Sequence, residues 1–189
     1  MELADVQLEP CDIGFVSGRG LFSRSIAGAT RSPGELPTQA THVFLVDRAG
    51  TFYRAELLEA SWRVRRGTIG SFYAGGTSQI SIARPRNLTS ADRELILRES
   101  RRLEGLRYAW WKLFPHLIDG VVFRGSNVLR RFGGGDRPIC SYHVARAYGA
   151  AGYTFGIDSR AATPDDIWDF CAARGDRYVW PIGRHLRQP

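Results

Sequence analysis

A cysteine, a histidine and a carboxylate can together carry out acyl transfer, and this chain offers few candidates for each role. Cys140 follows Pro138 by two residues, at the start of a stretch with helical spacing. In a first helical turn, the dipole and the free backbone N–H groups stabilise a thiolate and lower a thiol pKa from about 8.5. A backbone N–H of the same turn can donate to a developing oxyanion. Against this, free cysteine is among the most buried residue types and is usually inert.

Four histidines are available as the base. His143 lies three residues after Cys140 on the same helix face. Its side chain would point back towards the helix start and crowd the thiol, so a packing or surface role is expected for it. His116 follows Pro115 in an aromatic segment, and His185 sits in an Arg-rich tail. His42 differs, because it opens the apolar run Val43-Phe44-Leu45-Val46. A polar ring at the mouth of a buried strand is costly unless it is paired. Glu59, within Leu57-Leu58-Glu59-Ala60, is the acid in an apolar setting on the next strand. Beside His42 it would fix the tautomer and orientation of the ring.

The elements that must position these groups follow from periodicity. Asp12 to Val16 reads as a strand, and Leu21 to Ala27 has helical spacing. Residues 31–39 contain Pro33, Gly34 and Pro37 and read as a loop. Thr41 to Asp47 is a buried strand, Arg48-Ala49-Gly50 a turn, and Thr51 to Ala60 the antiparallel partner. Trp62 to Ile69 alternates as a third strand. Gly70 to Gly76 breaks the pattern, and Gln79 to Ala83 resumes it. Thr89 and Ser90 offer caps for a helix over Ala91 to Glu104. Tyr108 to Leu117 is aromatic and partly helical, and Gly133-Gly134-Gly135 reads as a hinge rather than a phosphate loop. Pro138 opens a helix over Ile139 to Ala150. Thr163-Pro164-Asp165-Asp166 opens another that runs to about Arg174, with two carboxylates at its positive end. Tyr178 to Ile182 is a last strand. Strands first and helices after predict one α+β domain over 1–189.

Composition narrows the function classes. The chain has 189 residues, 43% hydrophobic and 24% charged, as a soluble globular domain does. Its net charge of +7 favours anionic partners. Lys112 is the only lysine among 26 basic residues. The densest basic group, Arg63, Arg65 and Arg66, reads as a solvated strand end, and no nucleic-acid motif set accompanies it. Three cysteines without a C-x-x-C pair argue against a disulfide framework or a zinc cluster. The acidic start shows no signal peptide, and no apolar run approaches the roughly 20 residues a membrane span needs. The chain is therefore expected to be made as a soluble cytosolic protein, with export or delivery by a route that reads no such signal left open.

The segments Cys11-Asp12-Ile13-Gly14-Phe15, Thr41 to Val46, Leu58-Glu59-Ala60 and Cys140 to Gly152 resemble the YiiX-like branch of the NlpC-type papain-like superfamily. Gly105 to Trp110 resembles its Gly-x-x-Tyr-x-Trp stretch, and Thr163 to Ile167 its closing Thr-Pro-Asp-Asp helix start. The family's Gly-Asp pair is Cys11-Asp12 here, and Tyr142 stands where the family often has Glu. The resemblance implies a circularly permuted papain-like domain, an antiparallel sheet with the nucleophile helix packed against it. It implies Cys140, His42 and Glu59 as catalytic residues and Tyr108, Asp12 and Ser141 on the substrate side. No metal or organic cofactor is implied. The expected reaction is hydrolysis of an amide through a thioester, with bacterial cell-wall peptide stems as the first substrate class. Lipid acyl groups, as in proteins similar to lecithin retinol acyltransferase, are the alternative. A catalytically silent binding module is a third reading, against which the joint presence of the three residues argues.

Overall fold

The computed structural model describes residues 3–17, 40–61, 63–75, 78–106 and 140–183. The expected helix from Leu21 to Ala27, the loop 31–39, the aromatic stretch with Tyr108, the glycine hinge and Pro138 all lie outside them. The architecture is α+β. After a 3-10 turn over Leu3–Asp5, the strands are β1 (Gln7–Leu8), β2 (Ile13–Ser17), β3 (His42–Arg48), β4 (Gly50–Thr51), β5 (Glu56–Ala60) and β6 (Val64–Thr68). Helix α1 (Ile69–Tyr73), β7 (Gln79–Pro85), helices α2 (Ser90–Arg102), α3 (Cys140–Gly149) and α4 (Pro164–Ala173), and β8 (Tyr178–Ile182) follow. Six strands form one antiparallel sheet in the order β6-β5-β3-β2-β7-β8, and β1 pairs with β4 apart from it.

Alternation splits the sheet's residues between two cores. Val43, Leu45 and Leu58 join Val144, Ala147 and Tyr148 on the side covered by α3. Phe44, Val46 and Leu57 join Val16, Phe52, Ile69 and Ile82 on the other side. β3 is buried from Val43 to Asp47, so its register is fixed from both faces. Gly14 pairs with Phe44, and a Cβ there would come within 2.0 Å of the Phe44 ring. The strand thus needs a residue without a side chain at that point.

The helices begin as their sequences dictate. Thr89 with Asp92, and Thr163 with Asp166, form reciprocal capping boxes for α2 and α4. Eight of the ten α3 residues are buried, which makes this helix a rigid support for whatever its first turn carries. No helix among the described residues is long and apolar enough to cross a membrane.

Three expectations need correction. The chain does not reverse at Arg48-Ala49-Gly50: β3 runs through Arg48, with a register shift between Val46 and Arg48. The reversal comes later, where the N–H groups of Arg54 and Ala55 both donate to the Thr51 carbonyl, so Thr51 to Ala60 is not one strand. Gly70 to Gly76 is not simply a break. It holds most of α1, started by a capping box of Thr68 and Ser71 that outweighs the glycine.

Candidate active site

β3 and β2 set the position of His42. His42 pairs with Val16, and the N–H and hydroxyl of Thr41 both donate to the Val16 carbonyl. The ring therefore sits at a tied strand end, with its side chain 23% exposed. One strand over, Glu59 is the partner of Phe44, two residues along from His42 on the same face. Its carboxylate is 3% exposed, and Oε2 lies 3.1 Å from His42 Nε2. The Cys140 thiol meets the same ring by hydrogen bond and charge.

Cys140 is the first residue of α3 and is buried. Burial pushes its thiol up, but the charge and hydrogen bond of His42 and the backbone N–H groups of Val43 and Ser141 outweigh it, and the net shift is downward. Burial pushes His42 down, while Cys140 and Glu59, each by charge and hydrogen bond, lift it to about 10. The opposite shifts have one cause, since each group favours the charged form of the other. Burial alone would raise Glu59. Its bonds with His42, Tyr73 and Arg65 hold it down at about 2 instead.

The carboxylate of Glu59 is a hub. Oε1 accepts from Arg65 Nε at 2.9 Å and Nη2 at 2.6 Å, and Oε2 also accepts from the Tyr73 hydroxyl at 2.5 Å. Arg65 is the partner of Glu59 across β5 and β6. Arg65 is solvated as a strand end is, with its side chain 46% exposed, and Arg66 is half-buried, but both spend their guanidinium groups on buried carboxylates. Arg66 binds the buried carboxylate of Asp47 together with Arg101. What the sequence offered was the six-residue spacing from Glu59 to Arg65, which places them opposite each other only once the pairing of β5 with β6 is known.

His143, the other histidine among the described residues, and the two other cysteines have different surroundings; His116 and His185 lie outside the described residues. His143 is fully buried, with Nε2 3.0 Å from Ser100 Oγ on α2. Burial, with the His42 charge adding to it, holds its ring down at about 4, so at neutral pH it is an uncharged packing group. Burial lifts the Cys11 thiol to about 12 and the Cys171 thiol well above its ordinary value. Cys11 also has φ +71°, the left-handed region that favours glycine, which fits its place where the resembling family has Gly.

Two expected substrate-side residues are not brought to the thiol by their side chains. Asp12 is buried at the other end of β2, where Arg84 Nε and Nη2 reach its oxygens at 2.9 and 2.8 Å and the Glu9 N–H adds 2.8 Å. The Ser141 hydroxyl turns away and donates to the Ala162 carbonyl at 2.6 Å, which ties α3 to the loop before α4. Only the Ser141 N–H faces the sulfur. Tyr108 lies outside the described residues.

With this geometry in place, comparison with known proteins adds the fold. No family model and no curated protein matches the chain. Among solved structures it is similar to the metalloprotein yiiX of Escherichia coli O157:H7, at TM-score 0.52 and 19% identity, over 79% of this chain and 69% of that one. The chain has a YiiX-like fold. The description of yiiX as a metalloprotein concerns that protein. Here, no group of three or more His, Cys, Asp or Glu side chains among the described residues is placed to hold a metal ion. Glu59 spends both oxygens on Arg65, Tyr73 and His42, so these residues do not fit a metal-binding set.

Proposed function

We propose that this chain is a cysteine hydrolase of the permuted papain-like type, with Cys140 as nucleophile, His42 as general base and acid, and Glu59 as the residue that orients His42. The observation that carries the reading is the contact chain from thiol to ring to carboxylate at the start of a buried helix. The order of the elements, β3 with His42, β5 with Glu59 and then α3 with Cys140, supports a permuted arrangement.

The thiolate of Cys140 attacks the carbonyl carbon of an amide, and the carbonyl π electrons move onto oxygen. A backbone N–H of the first turn of α3 stabilises that charge. The tetrahedral species collapses, the C–N bond breaks, and His42 Nδ1–H gives its proton to the leaving amine. Water then attacks the thioester with His42 taking its proton, and collapse releases the acid and restores the thiolate. Glu59 accepts from Nε2–H throughout, which keeps Nδ1 aimed at the sulfur.

The substrate class we infer first is a peptide-stem amide of anionic cell-wall polymer, in keeping with the positive charge. One observation favours acyl transfer from lipid as a second reading. A cavity of about 610 Å³ on the face away from α3 is lined by Val6, Phe52, Ile69, Tyr73, Ile80 and Ile182, and Tyr73 also donates to Glu59. Incubation of the protein with wall fragments and, separately, with phospholipid vesicles tests both. Turnover of either by the native protein and none by Cys140→Ala supports the reading and selects the class. Equal turnover by Cys140→Ala overturns it.

A further inference from the structure

We propose that Arg65 and Tyr73 are positioning residues that fill three of the four acceptor lobes of Glu59 and so leave one, aimed at His42 Nε2, for the ring. The inference rests on the proposed hydrolase site and deepens it.

A carboxylate has about four lone-pair directions. Arg65 sends two N–H donors to Oε1 and Tyr73 sends one O–H to Oε2, and the remaining acceptor direction of Oε2 meets His42 Nε2. With the other lobes occupied, the carboxylate cannot swing to a different donor. The ring in turn must present Nε2–H to it, and Nδ1 is left for the sulfur. The Arg65 guanidinium also sets a positive charge against Glu59, which offsets the cost of burying a carboxylate 3% exposed.

The fold positions both clamps without help from the substrate. Arg65 is directly opposite Glu59 in the β5–β6 pairing. Its guanidinium lies 4.1 Å from the centre of the Phe72 ring, and Phe72 in turn covers Gly67, where a Cβ would come within 2.2 Å of that ring. Tyr73 closes α1 and stacks on Phe44, the β3 partner of Glu59, at 5.9 Å between ring centres. The short helix α1 thus carries one residue that holds Arg65 and, next to it, one that holds Glu59 itself.

The test follows the Glu59 carboxyl carbon by 13C NMR across pH, in the native chain, in Arg65→Met with Tyr73→Phe, and in Tyr73→Phe alone. In the native chain Glu59 stays ionised down to about 2. In the double variant its midpoint should climb by at least one unit towards the ordinary value of about 4.3, because burial then acts with less compensation. Where turnover is measured, kcat should fall about tenfold with little change in KM, since the clamps orient the base and do not hold substrate. Arg65→Lys in place of Arg65→Met should restore the low midpoint and only part of kcat, because an ammonium supplies charge without the two-pronged fork. An unmoved midpoint in the double variant overturns the inference. Should that variant fail to fold, Tyr73→Phe alone decides in the same way, with any upward shift in support and none against. The titration needs no turnover, so an unreactive Cys140 with a movable Glu59 midpoint would refute the hydrolase reading and leave the clamp standing.

Discussion

Arg65 and Arg66 are neighbours on one strand, and each grips a buried carboxylate, but the two clusters they build do different things. Arg66 meets Asp47 on the face covered by the helices, where Arg101 takes the other oxygen and Glu104 and Glu56 close the network around Arg66. The hydrogen-bond and ion-pair partners there are carboxylates and guanidinium groups. Arg65 meets Glu59 on the other face, where the remaining acceptor direction goes to an imidazole that also touches a thiol. A buried carboxylate held by arginine is therefore not in itself a functional site. What sets the Glu59 cluster apart is that its remaining acceptor direction meets a group that can gain or lose a proton.

The comparison breaks most visibly at His42. His42→Ala should lower kcat/KM by roughly 10²- to 10⁴-fold, as removal of a general base does. His143→Ala should fall far short of that, because its ring is a neutral packing group on Ser100. Equal losses in steady-state assays would erase the distinction. Next in size is Glu59→Gln, which keeps shape but removes one charge-assisted hydrogen bond worth about 1.5–3 kcal/mol, a loss of roughly ten- to a hundredfold in kcat. Asp47→Asn should leave kcat unchanged and instead reduce unfolding free energy by about 2 kcal/mol in denaturant titration, since it leaves Arg66 and Arg101 underpaired. A fall in activity without a fall in stability would contradict the division between the clusters.

The pH dependence sharpens the same contrast. Glu59 is held down to about 2, so its contribution to stability is present above the ordinary carboxylate value and is lost as pH falls through about 2. His42 is raised to about 10, so its contribution is complete below the ordinary imidazole value and is lost as pH rises through about 10. The Tm difference between the native chain and Glu59→Gln should therefore be largest between about 4.3 and 6.5 and narrow on either side. A difference independent of pH would mean that the pair is not coupled. The smallest effect belongs to Gly67→Ala. Its Cβ displaces Phe72 and costs Arg65 its ring, a contact worth about 0.5–1 kcal/mol, so kcat should fall roughly two- to fivefold.

The catalytic candidates were legible because each broke a local rule: a histidine opening an apolar strand, a glutamate inside one, and a cysteine two residues past a proline. The α+β class and both capped helices, α2 and α4, were legible from period and capping residues. What escaped detection depended on partners distant in sequence. Asp12 has the same apolar setting as Glu59, and only the pairing of Val16 with His42 shows that Asp12 sits at the opposite strand end, satisfied by Arg84. The insertion of β2 between β3 and β7 is likewise invisible in any window of sequence. The bond from Arg65 to Glu59 went unread because a run of arginines carries no mark of what faces it across a hairpin. The turn after β3 was misplaced since Gly50 mimics a reversal, although β4 uses it to pair with β1.

The central claim is that the contact chain to Glu59 makes one of three buried cysteines a nucleophile. The rates at which iodoacetamide modifies Cys11, Cys140 and Cys171 in the native protein near neutral pH, read by peptide mass spectrometry, test it most directly. The account predicts fast modification of Cys140 and almost none of Cys11, whose thiol is pushed up to about 12, or of Cys171, which burial also holds as a thiol. His42→Ala should bring Cys140 down towards the other two. Modification of Cys140 no faster than that of Cys11 and Cys171, or a Cys140 rate unaffected by loss of His42, would contradict it.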